Sequence, residues 1–149
     1  MALPTPLNIA PLAAYTKPIM AAPTLLLVED DLILQDLYAE RFRQEGVSVL
    51  QASDGQQAVE LIDSHEEINI ILLDLMLPKV SGYDVLVHVR QKHGRSFPVI
   101  IVSALSDIND QARGLQLGAT DYLTKGELPP SEVVSRVIAH VLPVQVPAA

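Results

Sequence analysis

The chain has 149 residues, 49% of them hydrophobic, and a mean hydropathy of +0.28, which fits one compact domain, leaves little room for a second output domain and excludes disorder throughout. Its net charge of −8 would repel phosphate backbones, so nucleic acid is not an expected partner. With no cysteine, disulfides, thiolate metal sites and thiol nucleophiles are ruled out, and a reducing cytoplasm is the expected location.

Residues 1–23 carry Pro4, Pro6, Pro11, Pro18 and Pro23 and are expected to form a disordered extension. No apolar run there approaches the roughly 18 residues of a membrane span, and no basic segment precedes it as in a secretory signal. Met20 stands just before the first strand and is a candidate for the natural start. From Thr24 onward, short Val/Ile/Leu runs alternate with stretches of helical spacing. The first strand is predicted over Thr24–Val28 and leads through Glu29-Asp30-Asp31 into a helix over Asp31–Glu45, with Leu34, Leu37, Tyr38 and Phe42 on one face and Gly46 as its stop. A second strand (Val47–Ala52) and helix (Gly55–His65) follow, then a third strand (Asn69–Leu73) that ends at Asp74 and a helix over Tyr83–Lys92. The fourth strand (Pro98–Val102) runs into Ser103-Ala104, and Ser106 or Asp107 caps a fourth helix (Asn109–Leu117) that Gly118 stops. A fifth strand (Thr120–Leu123) is followed by Thr124-Lys125, and Pro130 opens a last helix over Pro130–Leu142. Residues 143–149 form a short tail.

The third and fourth strands are apolar almost throughout, as strands buried on both faces are. Five βα units with right-handed crossovers predict an α/β fold, a doubly wound three-layer (βα)5 sandwich with a parallel five-stranded sheet. Arg41, Arg43, Arg90, Arg95 and Arg113 are scattered and read as solvated helix faces.

In such a sheet the ligand site lies beyond the C-terminal strand ends. There the sequence places Glu29 and Asp30, Asp74, Ser103, and Lys125. Each alone has an ordinary structural role, as a helix cap, turn residue or solvated side chain, and Asp31 is expected to be only a cap. Together they form a site of carboxylates, a hydroxyl and an ammonium. Clustered carboxylates repel one another unless a cation compensates, and the sparse all-oxygen set suits Mg²⁺, with Mn²⁺ as a substitute. Asp30 and Asp74 are the candidate ligands, helped by Glu29 through water and by the backbone carbonyl of Met76. A carboxylate beside a metal can act as a nucleophile toward phosphorus, giving an aspartyl phosphate. Asp74 is the candidate, with Lys125 and Ser103 as donors to the phosphoryl oxygens.

Four ordered blocks, Leu25-Leu26-Leu27-Val28-Glu29-Asp30-Asp31, Leu72-Leu73-Asp74-Leu75-Met76-Leu77-Pro78 with Ser81-Gly82, Pro98-Val99-Ile100-Ile101-Val102-Ser103-Ala104, and Gly118-Ala119-Thr120-Asp121-Tyr122-Leu123-Thr124-Lys125, closely resemble the receiver domain of two-component response regulators, covering residues 24–142. The resemblance implies the flavodoxin-like strand order 2-1-3-4-5 and a single-domain, Mg²⁺-dependent switch. In it Asp74 takes a phosphoryl group from a histidine kinase or histidine phosphotransfer protein. It further implies that Ser103 swings toward the phosphoryl group and that Tyr122 turns inward. The face formed by the fourth helix, fifth strand and fifth helix would then shift to bind a protein target or a second copy in a homodimer. Self-dephosphorylation would act as a timer, so the chain is not expected to be a metabolic enzyme.

One position departs from the family. The lysine is usually followed by proline, often after a cis bond, and here by Gly126. Cis before a non-proline residue costs roughly 2.5–4 kcal/mol, so the loop is expected to run trans and to hold Lys125 less firmly. A pseudo-receiver that docks partners without phosphorylation is the alternative reading. A flavin or dinucleotide carrier is disfavoured because the first turn is Glu29-Asp30-Asp31 rather than a glycine-rich phosphate loop.

Overall fold

A computed structural model describes residues 22–141. The expectations about Met20, residues 1–19, Leu142 and the 143–149 tail fall outside these residues. Ten elements alternate without interruption: β1 (Thr24–Val28), α1 (Leu32–Gln44), β2 (Ser48–Ala52), α2 (Gly55–Ser64), β3 (Ile68–Leu73), α3 (Gly82–His93), β4 (Val99–Ser103), α4 (Ile108–Gln116), β5 (Asp121–Thr124) and α5 (Pro130–Ala139). The strands form one parallel sheet in the order β2-β1-β3-β4-β5, the flavodoxin-like α/β arrangement that the resemblance implied.

Because side chains alternate along a strand, the central strands feed two cores at once. Leu25 and Leu27 of β1, Ile70 and Leu72 of β3, and Ile100 and Val102 of β4 pack with Tyr38 and Phe42 of α1 and with Val133 and Val137 of α5. Their neighbours Leu26, Val28, Ile71, Leu73, Val99 and Ile101 pack on the other face against Ile62 of α2 and Val85, Leu86 and Val89 of α3. β3 and β4 are therefore apolar on both faces, as the sequence predicts, apart from Ser103 at the end of β4 and exposed Asn69 in β3, whose side-chain oxygen accepts a 2.7 Å bond from the Thr24 amide. Among the described residues no helix is long and apolar enough to cross a membrane.

The helix signals act as read. Asp31 caps α1 by accepting from Ile33 and Leu34 amides at 3.0 and 3.1 Å. Asp107, not Ser106, caps α4 by accepting from Asn109 at 2.7 Å. Gly46 and Gly118 follow α1 and α4 with φ of 82° and 104°. Three expectations are corrected. Leu37 does not share the buried face of α1 but is 38% exposed, and Gln35 is buried instead, so the inward stripe is Gln35, Tyr38, Ala39 and Phe42. The last helix stops at Ala139, where the His140 amide tightens back onto Val137 and Ile138 carbonyls. Arg90 is not a solvated side chain: its guanidinium donates to the carbonyls of Gly94 at 2.7 Å, of Phe97 and of Gly118, fastening the end of α3 to the loops on either side of β4 and α4. The remaining boundaries move by a residue. β4 begins after Pro98, which has no amide hydrogen, although its carbonyl still accepts from Ile71 at 3.2 Å.

Candidate phosphoryl-transfer site

Four of the five strands, β1, β3, β4 and β5, end in a buried apolar residue followed by a buried polar one. Glu29 follows β1, Asp74 follows β3, Ser103 closes β4 and Thr124 closes β5, and none of the four is more than 7% exposed. The ladder continues one residue past the strands, since the Glu29 amide donates to Ala52 and the Asp74 amide to Val28, both at 3.0 Å. This holds the two carboxylates on adjacent strands. Gly82 packs α3 beneath Asp74, where a β-carbon would lie 2.3 Å from the Asp74 carbonyl oxygen, so only glycine permits this approach.

Lys125 enters from beyond β5. Its amide donates to the Ser103 carbonyl at 2.7 Å, and its Nζ donates to Glu29 Oε1 at 2.5 Å and to Asp74 Oδ2 at 2.8 Å. The other Asp74 oxygen, Oδ1, accepts from the Met76 amide at 3.1 Å. Asp30 is exposed at the mouth, and carboxylate oxygens of Glu29, Asp30 and Asp74 lie within 4.8 Å of one another. Met76 has its backbone beside Asp74 and its side chain largely exposed. Ser103 is fully buried, with Oγ accepting from the Leu105 amide at 3.2 Å, and Tyr122 donates its hydroxyl to the Leu105 carbonyl at 2.6 Å. All the residues singled out in the sequence, Glu29, Asp30, Asp74, Met76, Ser103, Tyr122 and Lys125, thus gather around one end of the sheet.

The electrostatics match this crowding. Burial pushes the Glu29 carboxyl up to about 7, opposed by Lys125 and reinforced by neighbouring Asp74. For Lys125, burial alone would lower the pKa, but its hydrogen bonds to Asp74 and Glu29 outweigh that and raise it, so the ammonium stays charged. One cation among three acids leaves the site short of positive charge. An all-oxygen donor set with that deficit fits a hard divalent ion.

The expectation of a loosely held Lys125 is corrected. The bond before Gly126 is trans as expected, since the described residues contain no cis peptide, yet two buried carboxylates grip the ammonium. Gln35 escaped the sequence reading, and Tyr38 was read there only as part of the apolar face of the first helix. Gln35 donates from Nε2 to the carbonyls of Glu29 and Ala52, both at 2.9 Å, and accepts from Gln51 at 3.0 Å, so it fixes the turn that carries Glu29. Tyr38 shares a cleft of about 430 Å³ with Lys125. A glutamine within an amphipathic stripe carries no sequence signal of its own.

Comparison with known proteins agrees with this fold. The profile of the response regulator receiver domain matches residues 25–138. The transcriptional regulatory protein CpxR of Escherichia coli is 43% identical over 115 residues, which cover 77% of this chain and 47% of CpxR. The chain thus spans about half the length of the curated relatives it matches. Among solved structures, the receiver domain of the Francisella response regulator 1452 is 31% identical, with a TM-score of 0.72 over 79% of this chain and 95% of that one. The CheX-CheY-BeF3-Mg²⁺ complex of Borrelia burgdorferi contains a chain 25% identical, with a TM-score of 0.70 over 78% and 87%.

Proposed function

The chain belongs to the response regulator receiver domain family, and from that premise we propose that it is a phosphorylation switch whose acceptor is Asp74. The observation that carries the reading is the position of Asp74, buried at the end of β3, 2.8 Å from Lys125 Nζ and grouped with Glu29 and Asp30. A carboxylate oxygen of Asp74 attacks phosphorus, the bond to the donor's imidazole nitrogen breaks, and the product is an acyl phosphate on Asp74. The donor is a histidine kinase or histidine phosphotransfer protein. Lys125 keeps its charge and holds a phosphoryl oxygen, and the Ser103 hydroxyl supplies a second donor when it turns from Leu105. Glu29, Asp30 and Asp74, with the Met76 backbone beside them, would hold Mg²⁺ or Mn²⁺, which when bound supplies positive charge against the phosphoryl oxygens.

Release of Ser103 from the Leu105 amide disturbs the same loop whose carbonyl holds Tyr122, which gives the α4–β5–α5 face a local reason to shift. That face exposes Ile108 and Leu115, and its reader is proposed to be a protein partner or a second copy of the chain in the cytoplasm. Self-dephosphorylation ends the signal, so the chemistry is that of a switch and not of an enzyme with a separate substrate.

The test is intact mass after incubation with acetyl phosphate and Mg²⁺, for the wild type, Asp74→Asn and a chelator control. The reading expects a labile phosphoryl adduct that requires the ion and disappears in Asp74→Asn. No adduct, even with histidine kinases supplied, would overturn it in favour of a phosphorylation-independent docking module.

A further inference from the structure

We propose that Gly126 is the positioning residue for Lys125: its left-handed backbone forms the turn that sets the ammonium between Glu29 and Asp74. The inference rests on the proposed function only for its chemical consequence. Lys125 is pinned from one side by its own amide on the Ser103 carbonyl at 2.7 Å. On the other side the chain reverses at once, with the Glu127 amide donating to the Thr124 carbonyl at 3.3 Å and a bridge from Lys125 to Leu128. Thr124 to Glu127 are thus the four residues of a β-turn, and the third, Gly126, has φ of +87°. A tight turn with a positive φ at its third position is the form that glycine serves and asparagine tolerates.

The requirement is conformational and not steric. A β-carbon on Gly126 would meet nothing within 4 Å, and the turn borders the open cleft lined by Tyr38 and Pro129. Proline, with φ fixed near −65°, cannot take this backbone at all. The structure therefore holds the lysine by a route that the proline usual after it could not follow. The isolated reading of Gly126 as a loosening substitution is replaced by one in which glycine is the residue that this path demands. Leu128, packed against the α1/α5 core, anchors the far side of the turn.

Lysine acylation of the full chain by an N-hydroxysuccinimide ester, mapped by peptide mass, tests the geometry without phosphorylation. Lys79, 62% exposed although ion-paired with Asp54 at 3.4 Å, serves as the exposed reference, while Lys92, 28% exposed and bonded to the Ile62 carbonyl at 2.8 Å, reports the integrity of the fold. Lys125, 21% exposed, is expected to react several-fold more slowly than Lys79 in the wild type and in Gly126→Asn. In Gly126→Pro and Gly126→Val its rate should approach that of Lys79, with Lys92 unchanged. The valine variant, which keeps the amide hydrogen, decides the matter should the proline variant expose Lys92. Lys125 remaining protected in both disruptive variants, or exposed equally in Gly126→Asn, would overturn the proposal.

Adduct formation from acetyl phosphate supplies the second readout. Gly126→Pro is expected to slow it by up to about 10²-fold, the scale for losing one fixed donor to an oxyanion, and to add no further slowing in a Lys125→Ala background. Independent slowing in that background would also overturn the proposal. Absence of an adduct in the wild type would sink the phosphotransfer reading, while the acylation pattern would still decide whether Gly126 places Lys125.

Discussion

Val28 and Glu29, Leu73 and Asp74, Val102 and Ser103, and Leu123 and Thr124 are neighbours in the chain and nearly equal in burial, with no member more than 7% exposed, yet opposite in character. The last apolar residue of each strand belongs to a core in which burial is itself the stabilising event, worth about 1.5–3 kcal/mol for a large side chain. The polar residue one step further loses its hydration and must be satisfied by a neighbour. For Glu29 and Asp74 that neighbour is Lys125, 96 and 51 residues away in the chain. The sheet interior is held by apolar packing, whereas the polar strand ends are held by specific partners, the distant Lys125 for Glu29 and Asp74 and the nearby Met76 and Leu105 amides for Asp74 and Ser103. A site built that way is stable in its surroundings and sensitive in itself.

Substitutions on the two sides of this boundary should differ in kind as well as size. Truncating the interior has the largest effect: Leu72→Ala, fully buried between β1 and β4, should lower the free energy of unfolding by about 2–5 kcal/mol in urea denaturation, at every pH where the domain folds.

At the strand end the sign reverses. Glu29 has a folded-state value of about 7 against an ordinary 4.5, so between those values the native state binds more protons than the unfolded chain, and stability falls as pH rises. The penalty is absent below about 4.5 and complete above about 7. Glu29→Gln should therefore stabilise the metal-free protein at pH 8, by at most about 3 kcal/mol, little at pH 4.5, and flatten the profile between. Denaturation across that range in a chelator checks this, and an unchanged slope would break the comparison.

Lys125→Met removes the shared partner and leaves two buried carboxylates facing each other. A loss of about 2 kcal/mol at pH 8 is expected, less than for a wholly buried pair because the lysine is 21% exposed. It should shrink toward pH 4.5 as Glu29 takes up a proton. The smallest effect is at Ser103, whose hydroxyl accepts one amide bond, so Ser103→Ala should cost about 1 kcal/mol in the same assay. A loss at Ser103 as large as that at Leu72 would mean that the strand end is part of the core after all.

The same boundary explains what could be read in advance. Residue type and spacing are local properties, so the ten alternating elements, the apolar character of β3 and β4, the Asp31 cap and the glycine stops after α1 and α4 were legible in the chain alone. So was the placement of an acid, a hydroxyl or a lysine after four of the five strands, because a parallel sheet puts every strand end on one side. The strand order β2-β1-β3-β4-β5 was not contained in that periodicity and came from resemblance to a family. Tertiary packing decided the rest. The stripe of α1 rotated to bury Gln35 and release Leu37, because an amide there could satisfy the carbonyls of Glu29 and Ala52. Arg90 turned inward to three carbonyls that no local pattern brings together. The grip on Lys125 depended on a backbone angle at Gly126 that composition leaves open, since glycine permits either sign of φ and only the contacts formed by distant strands select one.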